Sequence, residues 1–226
     1  MLKFATPAPL TAAVDVPAAS VRFVAAERAD TTVEVLPADA SRSHDVKAAA
    51  QVRVSCGDGV LRISAEPARS RALGSAGKVA VTVRLPAGSR VQVTAALGEL
   101  RGVGRLGEVT FEGAHGLVEL DEAAGAHLTV QSGDIRLGRL TGPARISTRR
   151  GDLTVTEATG GALDLRTGHG DITVGAARGT SATLTAATGR GRVHDGLTRT
   201  GATGPAASGL AVTATTAHGD IAVRTL

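Results

Sequence analysis

A glycine followed by a short apolar–x–apolar strand occurs seven times from residue 98 onward in this 226-residue chain, and few folds accommodate such a pattern. The segments are GELRG (98–102), GLVEL (116–120), GDIRL (133–137), GDLTV (151–155), GDITV (170–174), GRVHD (191–195) and GDIAV (219–223). Their glycines lie 18, 17, 18, 19, 21 and 28 residues apart. In five consecutive units a second glycine follows nine residues after the first, as in Gly98 and Gly107 or Gly151 and Gly160. Each half-unit is therefore a strand of about five residues and a turn of about four.

The apolar positions keep the same beat. Val93, Phe111, Leu128, Ile146, Leu165, Ala186 and Ala214 stand five residues before each leading glycine. Leu100, Val118, Ile135, Leu153, Ile172, Val193 and Ile221 stand two after it. Alternation of period two inside a repeat of about eighteen predicts coils that stack strand on strand about 4.8 Å apart. One coil cannot bury its apolar face alone, whereas a stack buries a continuous core. The expected fold is all-β: a β-solenoid of about 18-residue coils, with right-handed winding favoured over left-handed.

Residues 1–77 alternate less regularly, at 11–17, 20–25, 31–37, 51–56 and 60–65, with a hairpin signal at CGDG (56–59). They are expected to continue and cap the same sheet system, so that 1–226 is a single domain. Segments 37–50 and 66–77 read as loops, the former with a helical turn. Residues 78–226 hold the regular repeats, and GLTRTGATGPAASG (196–209) reads as a flexible insertion.

The run VTVRLPAGSRVQVTAALGELRGVG (81–104), followed by tandem GD-I-x-V units, resembles the bacterial putative-adhesin domain. VDVPAASVRFVA (14–25) looks like a degenerate copy of the same opening. The resemblance covers nearly the whole chain. It implies a β-solenoid and a β-strand-repeat family of unknown function.

Charge and composition exclude several classes of function. The sequence pI near 10.2 accompanies a formal net charge of only +4. Arginine accounts for 22 of 25 basic residues, so little titrates between pH 8 and 12 and a small excess carries the pI upward. No basic block exists to steer nucleic acid or anionic lipid. Trp and Tyr are absent, and Phe4, Phe23 and Phe111 make no stacking platform. The single cysteine, Cys56, allows no intramolecular disulfide and reads as a small hydrophobe beside a turn. Pro7, Pro9, Asp15 and Pro17 interrupt the N-terminal segment, which has no apolar run of signal-peptide length. A cytoplasmic location without membrane insertion is the expectation.

Asp134, Asp152, Asp171 and Asp220 share one repeat position with Glu99. Stacking would align them into a carboxylate row, either a calcium ladder or a set of turn residues accepting backbone N–H bonds. The turn reading is favoured, because Leu117 and Arg192 occupy that position in two coils and the Gly-Gly-x-Gly-x-Asp repeat is absent. The expected structural turn ladder is Gly98, Gly116, Gly133, Asp134, Gly151, Asp152, Gly170, Asp171, Gly191, Gly219 and Asp220.

His115, His169 and His218 each precede a leading glycine. Sequential stacking sets the first two about 15 Å apart, too far for shared zinc ligation. Gly102-Val103-Gly104-Arg105-Leu106-Gly107 fits G-x-G-x-x-G, but a strand pattern follows it where the dinucleotide fingerprint needs a helix. No catalytic residue, metal site or cofactor is expected, and the chain reads as a non-enzyme.

Arg149, Arg150, Arg190 and Arg192 fall at equivalent turns and are the candidate contacts for a protein or surface partner. The expected function is a non-enzymatic binding module that presents a rigid repeat surface. The alternative is a bactofilin-like scaffold polymerising end to end, because GDIAVRTL (219–226) runs to the last residue without a polar cap. On that reading, homo-oligomers form through the C-terminal coil.

Overall fold

The computed structural model describes residues 1–65, 77–197 and 209–226. The insertion expected at 196–209 and the loop expected at 66–77 lie almost wholly outside the described residues. The chain opens with strands β1 (Leu2–Ala5), β2 (Thr11–Asp15), β3 (Ala18–Ala26) and β4 (Asp30–Pro37), then helix α1 (Ser43–Gln51). Strands β5 (Val52–Gly57), β6 (Val60–Ala65), β7 (Val79–Pro86), β8 (Arg90–His115) and β9 (Val118–Ser132) follow. Next come β10 (Ile135–Leu140), β11 (Ala144–Arg150), β12 (Leu153–Ala158), β13 (Gly161–His169) and β14 (Ile172–Ala176). The last are β15 (Ala182–Arg190), β16 (Val193–Gly196), β17 (Leu210–His218) and β18 (Ile221–Thr225).

These strands form two columns of mostly parallel pairs that share one apolar core. One column runs β5, β6, β2, both arms of β8, β9, β11, β13, β17, β15. The other runs β1, β4, β7, β3, β8, β9, β10, β12, β14, β18, β16. Inward positions stack in register. Leu100, Val118, Ile135, Leu153, Ile172 and Ile221 form one such row, each buried. The sheet is open and solenoid-like, all-β apart from α1. The helical turn expected in 37–50 is a nine-residue helix. Buried Asp45 in its first turn accepts the backbone N–H groups of Asp39 and Lys78 at 3.1 and 2.8 Å, which ties the helix to both flanking segments.

The hairpin signal at CGDG is realised between β5 and β6, where Asp58 and Gly59 both take positive φ, 50° and 71°. This is the turn that matches strand twist in a two-residue loop. The antiparallel strands β1, β4 and β5 finish that end of the molecule.

At the opposite end the coils do not follow chain order. The β13–β14 coil pairs with β17 and β18, and only these pair with β15 and β16. The expectation that the C-terminal coil is the open end, the ground for an end-to-end polymer through it, is overturned: that coil is sandwiched. The physical cause lies in residue 195. The inward register reads Leu120, Leu137, Val155, Val174, Val223 and then Asp195. A carboxylate between two apolar coils would lose its hydration without an ionic partner, so its coil goes to the outside. There Val193 is 44% exposed, whereas its register partner Ile221 is 0% exposed.

Candidate functional site

The leading glycines lie directly over one another at the turn joining the two columns. A Cβ on Gly116, Gly133, Gly151, Gly170 or Gly219 would collide with the carbonyl of the glycine one coil away, at Gly98, Gly116, Gly133, Gly151 and Gly170 respectively. Gly191 meets Gly219 in the same way. Their φ angles run from +140° to +156°, a region that side chains rarely enter. Two separate demands, backbone conformation and close approach, fix glycine here.

The aspartates after these glycines form a ladder between coils, each carboxylate reaching across the step instead of closing its own turn. Asp134 Oδ1 accepts the N–H of Asp152 at 3.0 Å, and Asp152 Oδ1 that of Asp171 at 2.9 Å. Asp171 Oδ1 accepts the N–H of Asp220 at 2.7 Å, and Asp220 Oδ1 that of Arg192 at 2.8 Å. The exchange of coils removes the break that Arg192 makes in the sequence. Four aspartates are consecutive in space, and Arg192 ends the row with a residue that offers no carboxylate. Next to them, Thr148, Thr167, Thr188 and Thr216 turn their hydroxyls onto glycine carbonyls of the ladder.

One residue before the glycines, Arg150, His169, His218 and Arg190 are successive register partners. The imidazoles of His169 and His218 stack with centroids 4.5 Å apart and planes 13° from parallel. Chain order hides this neighbourhood. The signal for it was present, since GDIAV matches GDITV far more closely than GRVHD does. Arg149 and Arg150 thus stand about three coil steps, roughly 14 Å, from Arg190 and Arg192 along one edge. His115 pairs with Ser132 instead. Among the described residues, no three His, Cys, Asp or Glu side chains group so as to hold a metal ion.

Several arginines on the coil faces are paired. Glu119 bridges Arg101 and Arg136 at 3.0 and 3.4 Å, and Arg136 also reaches Asp134 at 3.2 Å. Asp164 takes Arg166 at 3.0 Å and Arg145 at 3.6 Å. Among the described residues, Arg149, Arg150, Arg190 and Arg192 have no such carboxylate within 4.0 Å. A shallow trough of about 690 Å³ crosses the turns on the other side of the first column, floored by Gly88, Gly107, Gly125 and Pro143 and walled by Arg90, Glu108, Arg145 and Asp164. The G-x-G-x-x-G match lies inside β8, where Gly104 (φ +80°) marks a shift of register. No described helix is long and apolar enough to cross a membrane.

Comparison with known proteins gives one family. The family model Toastrack DUF4097 matches residues 89–224. Among solved structures, a putative adhesin from Bacteroides fragilis NCTC 9343 is 14% identical, with 98% of this chain and 95% of that chain covered at a TM-score of 0.49. A putative cell adhesion protein from Clostridium sporogenes ATCC 15579 is 12% identical, with 100% and 98% covered at a TM-score of 0.44. No curated protein matches.

Proposed function

The chain belongs to the Toastrack DUF4097 family, a family of unknown function, and from that premise we propose that it is a non-enzymatic binding module presenting a rigid repeat surface to a protein or surface partner. The observation that carries the reading is the edge bearing Arg149, Arg150, Arg190 and Arg192. Among the described residues these guanidiniums lack the carboxylate partners that Arg101, Arg136, Arg145 and Arg166 have, and the backbone ladder holds the edge at fixed spacing. An unpaired arginine retains its bidentate donor fork for a partner's acidic groups. We take the coils to wind right-handed in steps of about eighteen residues, the hand that parallel β connections adopt.

Affinity capture with three immobilised proteins tests this reading. They are the wild type, the edge variant Arg149→Glu/Arg150→Glu/Arg190→Glu/Arg192→Glu, and the face variant Arg101→Glu/Arg136→Glu/Arg145→Glu. The expected result is a partner that loses about tenfold or more in recovery on the edge variant and stays on the face variant. Equal recovery on all three, or covalent change in the captured partner, sinks the proposal.

A further inference from the structure

At the stacked turn the leading glycine of each coil and the residue two after it donate their N–H groups to the next coil, while the residue between them donates to the previous one. Gly151 and Leu153 donate to carbonyls of the next coil, at His169 and Asp171, and Gly170 and Ile172 donate to His218 and Asp220. Gly219 and Ile221 donate to Arg190 and Arg192, each at 2.9 Å. Gly191 and Val193 hold the same positions in the end coil, and among the described residues no coil lies beyond them. Two parallel N–H groups are thus aimed outward at the places where two carbonyl oxygens would stand. The side chains beside them, Arg190 and Arg192, are exposed and have no carboxylate within 4.0 Å among the described residues.

We propose that this end turn, Gly191–Val193 with Arg190 and Arg192, is a binding site for the carboxylates of an acidic peptide segment on the partner. The inference rests on the binding-module reading and names the chemistry of its contact. Paired backbone N–H groups at an extended glycine turn are oxyanion donors, and two guanidiniums supply the charge and the bidentate geometry. The neighbouring carboxylates do not fill the site. Asp220 lies one coil below with Oδ1 on the Arg192 N–H, and Asp195 Oδ1 accepts the N–H of Leu197 at 3.1 Å. His194 and His218 also border it. The segment that follows in the chain, 198–208, contains no Asp or Glu. The half-exposed Val193 adds an apolar contact for the stem of an acidic side chain.

The test is a titration of the isotope-labelled full chain with a terminally blocked tetra-aspartate peptide, read at backbone amides. Saturable shifts centred on the Gly191 and Val193 amides are expected. Affinity should fall about tenfold or more in Arg190→Ala/Arg192→Ala and stay unchanged in Arg62→Ala/Arg84→Ala, which removes the same charge elsewhere. Shifts spread evenly over the surface, an unaltered affinity in the first variant, or saturation by inorganic phosphate but not by the peptide would each overturn the site. If the site fails while the edge variant still loses its captured partner, the binding-module reading stands and only this location is wrong.

Discussion

A single methyl group at the stacked turn decides whether two coils can meet. Gly151 combines a φ of +140° with a backbone carbonyl, that of Gly133, in the space a Cβ needs. Gly151→Ala is therefore expected to destabilise the fold by about 3 kcal/mol or more, measured by urea unfolding. A loss below 1 kcal/mol would mean that the glycine column is not under steric demand. Asp152 makes a different contribution, accepting one backbone N–H from the next coil. Asp152→Ala should cost about 1 kcal/mol, and Asp152→Asn, which keeps a carbonyl acceptor, should restore most of it. Equal losses in the two variants would point to charge in place of hydrogen bonding. Both residue types were legible in the sequence, because a stacked turn needs a residue without a Cβ and a short acceptor beside it at every step. The direction of the aspartate bond was not, since a carboxylate in a Gly-Asp turn has an acceptor role locally as well as across the step.

Among the strands, burial reports the order of the coils. Leu210 is buried between two coils, whereas Leu184 on the end coil is half-buried. Leu210→Ala should cost about 3 kcal/mol and Leu184→Ala about 1 kcal/mol. Stacking in chain order would reverse that ranking. Period-two alternation located nearly every strand, including β2 to β6 in the irregular part, because it reports which face is buried. It carries no information on which coil lies next to which, so the exchange of the last two was invisible until Asp195 was placed on an inward register. The opposite end is held differently. Asp30 lies beside Lys3 at 3.2 Å and Arg28 at 2.9 Å, and their hydrogen bonds, Lys3 first, hold its carboxyl below the usual range. A lowered folded pKa contributes stability that is complete above the unfolded value, near 4, and disappears as pH falls through the folded one. Amide exchange in β1 should accelerate under acid below about pH 4, and Asp30→Asn should remove that step. An unchanged acid response in the variant would show that the ion pair does not hold β1.

For the whole molecule, stability is a chain of nearest-neighbour contacts closed by antiparallel strands at one end and, among the described residues, open at the other. Hydrogen exchange should be fastest in β15 and β16 and slowest in the central coils around β9 to β12, as expected for a ladder that frays from its free edge. Uniform protection would instead indicate that the described edge is covered in solution. The exchange of coils also bears on how the protein is made. A ribosome delivers residues 182–196 before residues 210–226, yet the seat for β15 and β16 is the edge of β17 and β18. The nascent chain can build the earlier coils as they emerge, but β15 and β16 reach their native seat only after residues 210–226 have cleared the exit tunnel and taken their place beneath them. Seating β15 and β16 is thus a closure that no translation product truncated before residue 210 can perform.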